Sequence, residues 1–195
     1  MTSPVPLAPS VRCFGDGDPL YEAYHDTEWG LETRGEQLLF ERVSLEAFQS
    51  GLAWITILRK RPAFRSAFAD FDPEVVARFD DDDVARLLAD PGIVRNRAKV
   101  AATIANARAV LDLWTAGRTL TDLVWEHAPA ERVRHPRAVT FAEVPSSTPQ
   151  SAALARALKG AGFRFVGPTT AYAAMQACGL VDDHLAGCPV VAGAA

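Results

Sequence analysis

Short segments with helical periodicity fill most of this sequence, and turns containing proline or glycine separate them. In the segment 35–52, Leu38, Leu45, Phe48 and Leu52 recur at helical spacing and predict one buried face. The other predicted helices span 19–29, 55–69, 95–114, 119–127, 150–161 and 169–178, and two shorter ones begin at Asp72-Pro73 and at Asp80. Only residues 163–166 alternate as a strand would. The pattern predicts an all-α fold of roughly eight to ten short helices.

The 195-residue chain has the length of one folded domain. Hydrophobic residues make up 49% of it, which is too many for a mainly disordered protein. We expect a single helical domain over residues 12–190, with a flexible tail before it (1–11) and a short tail after it (191–195). The sequence has neither a run of about 18 apolar residues nor a signal-peptide pattern. A cytoplasmic protein with no membrane partner is therefore expected.

The charge balance neither requires nor excludes a nucleic-acid partner. The formal net charge is −4, but phosphate binding depends on local basic patches rather than on the total. Part of the acidic excess is the run from Asp80 to Asp83, which suits the positive N-terminal end of a helix. This run therefore predicts a helix start rather than a binding site.

Two cysteines and two histidines stand near opposite ends of the sequence. Cys13 and His25 come early, and His184 and Cys188 come late, at a spacing of four that lets both point the same way on a helical turn. Such a set suits a tetrahedral zinc ion, and with four protein ligands that zinc would be structural. The alternative is four scattered residues without a common partner. Cys178, inside an apolar helix, is expected to be a small core residue.

One carboxylate falls on the inward side of a predicted helix. Glu46 is seven residues after Leu39, almost two turns, so the two side chains point nearly the same way. Trp54 follows just past the helix end, and Tyr21 and Tyr24 lie on the first predicted helix. Flat rings and an inward carboxylate can form a pocket for a planar or cationic group. The alternative is an ordinary aromatic core with Glu46 at the surface or in an ion pair.

A short turn at 90–93 joins two predicted helices and precedes a group of cations. Main-chain N–H groups at the start of the second helix favour an anion, and Arg95, Arg97 and Lys99 stand beside them. The arrangement resembles a helix-hairpin-helix motif that binds the DNA backbone. The match is imperfect, because Val94 occupies the place where the commoner form has a second glycine after Gly92.

Short motifs spread from residue 12 to residue 188 form a larger pattern. They are Arg12-Cys13, Asp18 to Tyr21, Tyr24 to Asp26, Glu28 to Gly30, Leu45-Glu46, Gln49, Gly51 to Leu58, Gly92 to Arg97, Asn106 to Arg108, Gly162 to Gly167, Met175 to Val181 and Asp183-His184. Together, and in this order, they resemble the bacterial 3-methyladenine DNA glycosylase I family over nearly the whole chain.

The resemblance implies an all-α helix-hairpin-helix glycosylase fold whose two ends are joined by one structural zinc ion. The implied zinc ligands are the four residues already singled out, Cys13, His25, His184 and Cys188. The implied activity is hydrolysis of the N-glycosidic bond of 3-methyladenine in double-stranded alkylated DNA. This reaction releases free 3-methyladenine and leaves an abasic site, without a lyase step. We expect the protein to act as a monomer.

The resemblance also assigns roles to individual residues. Glu46 matches the carboxylate that hydrogen-bonds the extruded base. Trp54 and Tyr24 match the stacking residues, and Tyr21 matches another tyrosine of the pocket. Two further sets match DNA-contacting positions: Gly51 and Leu52 in the loop that enters the DNA gap, and Gly92, Arg95 and Arg97 in the hairpin.

Two other functions stay open at this point. A zinc-held helical module that binds DNA without catalysis needs only the hairpin and its arginines. A zinc-dependent hydrolase needs an open metal position. Related helix-hairpin-helix glycosylases have a catalytic aspartate past the hairpin, and the sequence offers no clear counterpart, since Asp112 is several turns further along.

Overall fold

The computed structural model describes residues 12–133 and 136–190. The α-helices in these ranges are α1 Pro19–Thr27, α2 Glu36–Gln49, α3 Trp54–Ala67, α4 Pro73–Val76, α5 Asp81–Ala89, α6 Arg97–Thr115, α7 Leu120–Trp125, α8 Pro149–Gly160 and α9 Pro168–Ala177. Two 3-10 helices, Ala69–Phe71 and Phe141–Glu143, lie between them. The all-α prediction is confirmed, and none of these helices is both long and apolar enough to span a bilayer. The predicted tails, 1–11 and 191–195, lie outside the described residues.

Side chains that cap the first turns explain where several helices begin. The main-chain N–H groups of Leu20 and Tyr21 donate to the carboxylate of Asp18 at the start of α1. Asp80 caps α5 in the same way, and Asp83 accepts a hydrogen bond in return, which forms a capping box. The acidic run is a helix start, as predicted.

Helix α2 lies at the centre of the fold. Its residues Leu39, Phe40, Leu45 and Phe48 are fully buried, and the helix packs against α3, α6, α7 and α9. Burial of four large side chains on one helix stabilises the fold by roughly 1.5–3 kcal/mol each. Glu46 stands on this same helix, so its carboxylate is held inside the molecule by the surrounding core.

Two leucines of the predicted buried face are exposed instead. Leu38 is 38% exposed and Leu52 is 41% exposed. Helix α2 ends at Gln49, and Gly51, with φ of +84°, turns the chain away, so Leu52 lies in a loop. Leu38 precedes the buried Leu39 by one residue, about 100° around the helix, which places it at the edge of the buried face.

The one strand candidate, residues 163–166, does not form a strand, because these residues turn the chain between α8 and α9. The buried side chain of Asn106 on α6 holds this turn by accepting from the Arg164 N–H (2.7 Å) and donating to the Arg164 carbonyl (3.2 Å). Phe165 then takes φ of +57°, which is incompatible with a strand. A single bridge, between Val133 and Asp182, is the β-type pairing found among the described residues.

Candidate active site and metal centre

The four cysteine and histidine residues predicted as metal ligands converge in the structure. Cys13 precedes α1, His25 lies on α1, and His184 and Cys188 follow α9. Their ligand atoms nevertheless all lie within 4.8 Å of one another. The Cys13 Sγ is 3.6 Å from His184 Nδ1, and the Cys188 Sγ is 3.4 Å from both His25 Nε2 and His184 Nδ1. The alternative of four scattered residues is wrong.

This set of donors fits one tetrahedral metal ion. With metal–ligand distances of about 2.0–2.3 Å, sulfur and nitrogen ligands of one tetrahedron are roughly 3.5 Å apart, as the three distances above are. Asp26 Oδ1 lies 2.8 Å from His25 Nδ1, which fixes the ring with Nε2 toward the cluster. Burial raises the pKa of the Cys13 thiol, and the Leu185 N–H, which donates to the Cys13 Sγ over 3.2 Å, opposes part of this rise. Four protein ligands leave no open position for a substrate.

The four residues Cys13, His25, His184 and Cys188 are called the metal cluster below. A cavity of about 320 Å³ opens directly beside them. Its lining residues are Phe14, Tyr21, Tyr24, Trp29, Glu46, Gln49, Trp54, Phe141, Ala173 and Gln176. The structure therefore brings together the four residues predicted from the sequence to form the pocket. The volume of the cavity is larger than that of several water molecules together, so a purine fits inside it.

The metal cluster supports one wall of this cavity. Phe14 follows the ligand Cys13 in the chain, and Tyr24 precedes the ligand His25. The Trp29 ring lies edge-on to the His184 ring, with centroids 4.7 Å apart. A metal ion that fixes the three ligands therefore also fixes three aromatic side chains of the cavity wall.

Glu46 is a buried carboxylate without a partner among the residues that the structure describes. Its residue is 5% exposed, and within the described parts of the chain neither carboxylate oxygen has a hydrogen bond or an ion pair. Burial raises the pKa of Glu46 to about 8, and nearby Arg42 opposes part of this rise. Arg42 instead pairs with Glu28, its Nη2 being 2.9 Å from Glu28 Oε2. The alternative of a surface or ion-paired Glu46 is wrong.

Aromatic rings form the walls around this carboxylate. The Tyr24 and Trp54 rings lie 5.3 Å apart at an angle of 42°, and both residues are buried. Burial raises the pKa of Tyr24 well above its ordinary value and also raises that of Tyr21, with Glu46 adding to both shifts. Both phenols therefore stay protonated at neutral pH. The cavity presents flat π-surfaces and one acidic group, a combination that suits a planar cation.

The predicted DNA-contacting residues lie on two exposed loops. Gly51 and Leu52 project from the loop 50–53, which joins α2 to α3 and ends at Trp54 in the cavity wall. Arg95 and Arg97 are exposed at the start of α6.

Gly92 of the hairpin has an internal role that the sequence did not predict. Its N–H donates to Asp90 Oδ1 over 2.6 Å, and a Cβ at this position would come within 2.9 Å of the Ala63 side chain. A glycine here therefore allows the hairpin to pack closely against α3. The predicted contact of Gly92 with DNA stays a prediction.

Several cavity residues were not assigned to the pocket from the sequence. Trp29 and Gln49 belong to the family motifs but were given no role in the pocket, and Phe14 directly follows Cys13, so position in the chain is the signal that could have found them. Phe141 lies in the proline-containing loop before α8, where the sequence has no periodicity. Its ring reaches the cavity only through the fold, 6.1 Å from the Phe14 ring and 6.4 Å from the Trp29 ring.

Known proteins are similar in sequence to this chain over most of its length. The family model described as methyladenine glycosylase matches residues 14–191. The chain is 49% identical to DNA-3-methyladenine glycosylase 1 of Escherichia coli (strain K12) over 174 residues, which are 88% of this chain and 91% of that protein. It is 42% identical to DNA-3-methyladenine glycosylase of Haemophilus influenzae over 185 residues, 92% of this chain and 97% of that protein.

Solved structures of similar proteins have the same fold. A crystal structure of 3-methyladenine DNA glycosylase I has a TM-score of 0.88 at 46% identity and covers 92% of this chain and 98% of its own. A tyrosine-to-phenylalanine variant of 3-methyladenine DNA glycosylase I, in complex with 3-methyladenine, has a TM-score of 0.85 at 33% identity and covers 91% and 95%. The motifs, the helical fold and these similarities lead to one conclusion: the chain belongs to the methyladenine glycosylase family.

Proposed function

We propose that this protein is a DNA repair hydrolase that removes 3-methyladenine from alkylated DNA and leaves an abasic site. The observation that carries the proposal is Glu46, whose buried carboxylate lies inside an aromatic cavity and pairs with no residue of 12–133 or 136–190. A buried acidic group in this state is costly for the free protein. It gains a partner when a base with N–H donors and a positive charge enters the cavity.

The chemistry of the lesion explains why such a pocket is sufficient. A base in a duplex must leave the stack before an enzyme can reach its glycosidic bond. Methylation at N3 gives the purine of the nucleotide a positive charge, so it is already a good leaving group. The C1′–N9 bond breaks with its electron pair moving to the purine, and water adds at C1′ with loss of one proton. The purine leaves as neutral 3-methyladenine.

The residues of the cavity select the charged base from normal ones. Trp54 and Tyr24 would stack on the purine, and stacking on electron-rich rings favours a cation over neutral adenine. Glu46 would accept a hydrogen bond from the exocyclic amine or the ring edge, and charge-assisted bonds of this kind contribute about 1.5–3 kcal/mol. Tyr21 would complete the wall of the pocket.

Two exposed loops would engage double-stranded DNA. Leu52, an apolar side chain 41% exposed beside Gly51, would fill the space that the extruded base leaves in the duplex. Arg95 and Arg97, with the hairpin that contains Gly92, would contact the phosphate backbone. Since the substrate is cellular DNA, we also propose that the protein works in the cytoplasm, and that it does so as a monomer.

We propose zinc as the metal of the cysteine–histidine cluster. Cys13, His25, His184 and Cys188 would hold it through two thiolates and two imidazoles, the donor set that zinc prefers in structural sites. Bound there, the ion supplies a cross-link between the two ends of the domain. With its coordination complete, it takes no part in bond cleavage, which disfavours a zinc-dependent hydrolase.

The direct test is release of free base from methylated duplex DNA, with the products separated by mass. We expect 3-methyladenine to appear in proportion to the enzyme and an abasic site to remain in the DNA. Glu46→Gln should bind DNA with unchanged affinity but release base more slowly. A non-catalytic DNA-binding module would release no base above an enzyme-free sample and would not bind free 3-methyladenine, and this result would refute the proposal.

A further inference from the structure

The side chain of Lys99 makes an unusual connection inside the protein. Lys99 lies in the first turn of α6, directly after the hairpin, and its residue is only 7% exposed. Its Nζ donates to the Phe48 carbonyl over 2.8 Å and to the Ser50 carbonyl over 2.7 Å. Across the described ranges no carboxylate pairs with it. A buried cation without a carboxylate partner needs another reason for its position.

Both accepting carbonyls belong to the end of α2 and the start of the loop 50–53. The C-terminal end of a helix carries unpaired carbonyls and partial negative charge, so a lysine there is favourable. Beyond Ser50 the loop has little else to hold it, since Gly51 has open space around its Cα and the Leu52 N–H reaches back to the Gln49 carbonyl. Lys99 is therefore a main anchor of the exposed loop.

The same lysine is part of the element proposed to contact DNA phosphates. Arg97 precedes Lys99 by two residues and is exposed at the start of α6. A phosphate held at this first turn is thus connected, through one side chain and two hydrogen bonds, to the loop that carries Leu52. The spacing between the backbone contact and the inserted side chain is fixed before DNA arrives.

We infer that Lys99 is a positioning residue for base extrusion, which couples the hairpin to the loop 50–53 and holds Leu52 ready to enter the duplex. The inference rests on the proposed function. Without the two hydrogen bonds from Lys99, the loop would have to be ordered during binding, and that ordering would oppose extrusion. The cavity itself would be unaffected, because Lys99 does not line it.

The test compares Lys99→Met with the wild-type protein on two duplexes and on the free base. One duplex has 3-methyladenine opposite thymine, and the other has it opposite cytosine, where extrusion costs less. We expect kcat/KM on the paired duplex to fall by about tenfold or more, with a clearly smaller loss on the mispaired duplex. Binding of free 3-methyladenine should stay within about twofold, which shows that the pocket is folded.

Arg108→Met is the matched control, because it removes the same kind of bond from the same helix. Arg108 donates to the carbonyls of Ala77 (2.9 Å) and Phe79 (3.2 Å), neither of which belongs to the loop. This variant should leave the ratio of activities on the two duplexes unchanged. Lys99→Gln, which can still donate to one carbonyl, serves as the milder variant where Lys99→Met does not fold.

A second arm tests whether Lys99 acts through Leu52. Leu52→Gly should change the ratio in the same direction, and the double variant with Lys99→Met should be no worse than the more severe single one. Equal losses on both duplexes, no loss, or loss of free-base binding in Lys99→Gln would each overturn the inference. Absence of base release by the wild-type protein would instead overturn the proposed function.

Discussion

At the scale of single residues, the burial of Glu46 has two consequences. It would determine which base the cavity binds, and it lowers the stability of the free protein. The carboxylate is surrounded by aromatic rings, and burial raises its pKa to about 8. At neutral pH the free protein therefore carries this group largely protonated, and a cationic base draws it into the charged form. The protonated form of Glu46 favours folding, whereas the carboxylate form favours binding of the base. Both effects are measurable.

Glu46→Gln should weaken excision and stabilise the fold at the same time. The lost charge-assisted bond of about 1.5–3 kcal/mol corresponds to a fall of roughly 10- to 150-fold in kcat/KM. The folded pKa of Glu46 lies above its ordinary value of 4.5, so its contribution to stability is full below about pH 4.5 and is lost as the pH rises to about 8. Glu46→Gln has no ionisable group at this position, so it does not lose this stability as the pH rises. Its free energy of unfolding, relative to wild type, should gain roughly 3 kcal/mol between pH 5 and pH 8 in denaturant titrations. A constant difference across this range would contradict the burial of the charge.

Excision should depend on pH with the opposite sign. In the proposed function a cationic base binds the carboxylate form of Glu46, and kcat/KM reports ionisation in the free enzyme. We expect kcat/KM for methylated duplex to rise with pH and to level off above about 8, the pKa of Glu46. Glu46→Gln should give a flat profile over this range. An activity that falls from pH 6 to pH 8 would show that the protonated form is the active one.

Phe141 should contribute to base binding at little cost to stability. Its side chain lines the cavity yet is 41% exposed, so truncation removes few buried contacts. Phe141→Ala should weaken binding of free 3-methyladenine by about three- to tenfold in calorimetric titrations, the value of one aromatic contact. Phe165→Ala is the control, since this ring is 43% exposed outside the cavity. Equal affinities for both variants would remove Phe141 from the site.

At the scale of helices and loops, the proposed contacts with DNA lie at the exposed ends of α2 and α6. The loop 50–53 follows α2, and the hairpin precedes α6, with Lys99 connecting the two. Helix positions are thus set by buried residues, whereas the groups proposed to contact DNA occupy the turns between helices. This division is common, because turns tolerate exposed polar groups that a core does not.

Replacing the two hairpin arginines should weaken DNA binding without affecting the pocket. In the double variant Arg95→Gln and Arg97→Gln, the slope of log affinity against log salt should fall by about two, roughly one for each lost phosphate contact. Binding of free 3-methyladenine should not change. The control is the double variant Arg34→Gln and Arg118→Gln. Arg34 precedes α2 and Arg118 follows α6, so both lie at the helix ends away from the hairpin and the loop 50–53. An unchanged salt slope in the hairpin variant would exclude these arginines from the interface.

Helix existence was predictable from the sequence, whereas the exact ends and the turns were less so. Proline and aspartate at Asp18-Pro19, Asp72-Pro73 and Asp80 indicate helix starts by a local mechanism, and all three are confirmed. The end of α2 was placed three residues too late, because the apolar spacing continues to Leu52 after the backbone has turned at Gly51. The alternation at 163–166 does not give a strand, because Asn106, far away in the chain, holds that segment in a turn.

At the scale of the whole molecule, the metal cluster joins the first described residues to the last ones. Cys13 and Cys188 are 175 positions apart, and their ligand atoms meet in one cluster. A cross-link that closes such a long segment restricts the unfolded chain strongly. The same cross-link would order Phe14 and Tyr24, so we expect stability and base binding to depend on one ion.

Loss of the metal should therefore unfold the protein and remove the pocket together. Elemental analysis should find one zinc per wild-type chain, and Cys188→Ala should lose it with a drop in unfolding free energy of several kcal/mol, about the scale of other structural sites. Free 3-methyladenine binding should disappear with it. Cys178→Ala is the matched control, because Cys178 is buried in the core and should leave the metal content unchanged. A folded, base-binding Cys188→Ala protein without metal would contradict this account.

The candidate site was predictable only in part from single residues. The spacing of Glu46, Trp54, Tyr21 and Tyr24 suggested a pocket, but the resemblance to a family, rather than periodicity, distinguished it from an ordinary core. Phe141 had no sequence signal, because long-range packing alone brings its loop to the cavity. Zinc identity and the roles of the individual residues stay predictions that the experiments above address.

The ionisation of Glu46, followed by carbon NMR of its side-chain carboxyl group, tests the central claim most directly. Comparison with Glu46→Gln assigns the signal, and a pH titration is recorded without and with free 3-methyladenine. We predict a midpoint near pH 8 for the free protein, which falls by at least about one unit when the exocyclic amine of the neutral free base donates a hydrogen bond to the carboxylate. A midpoint near 4.5, or one that the base does not move, would mean that Glu46 neither lies buried without a partner nor receives the base.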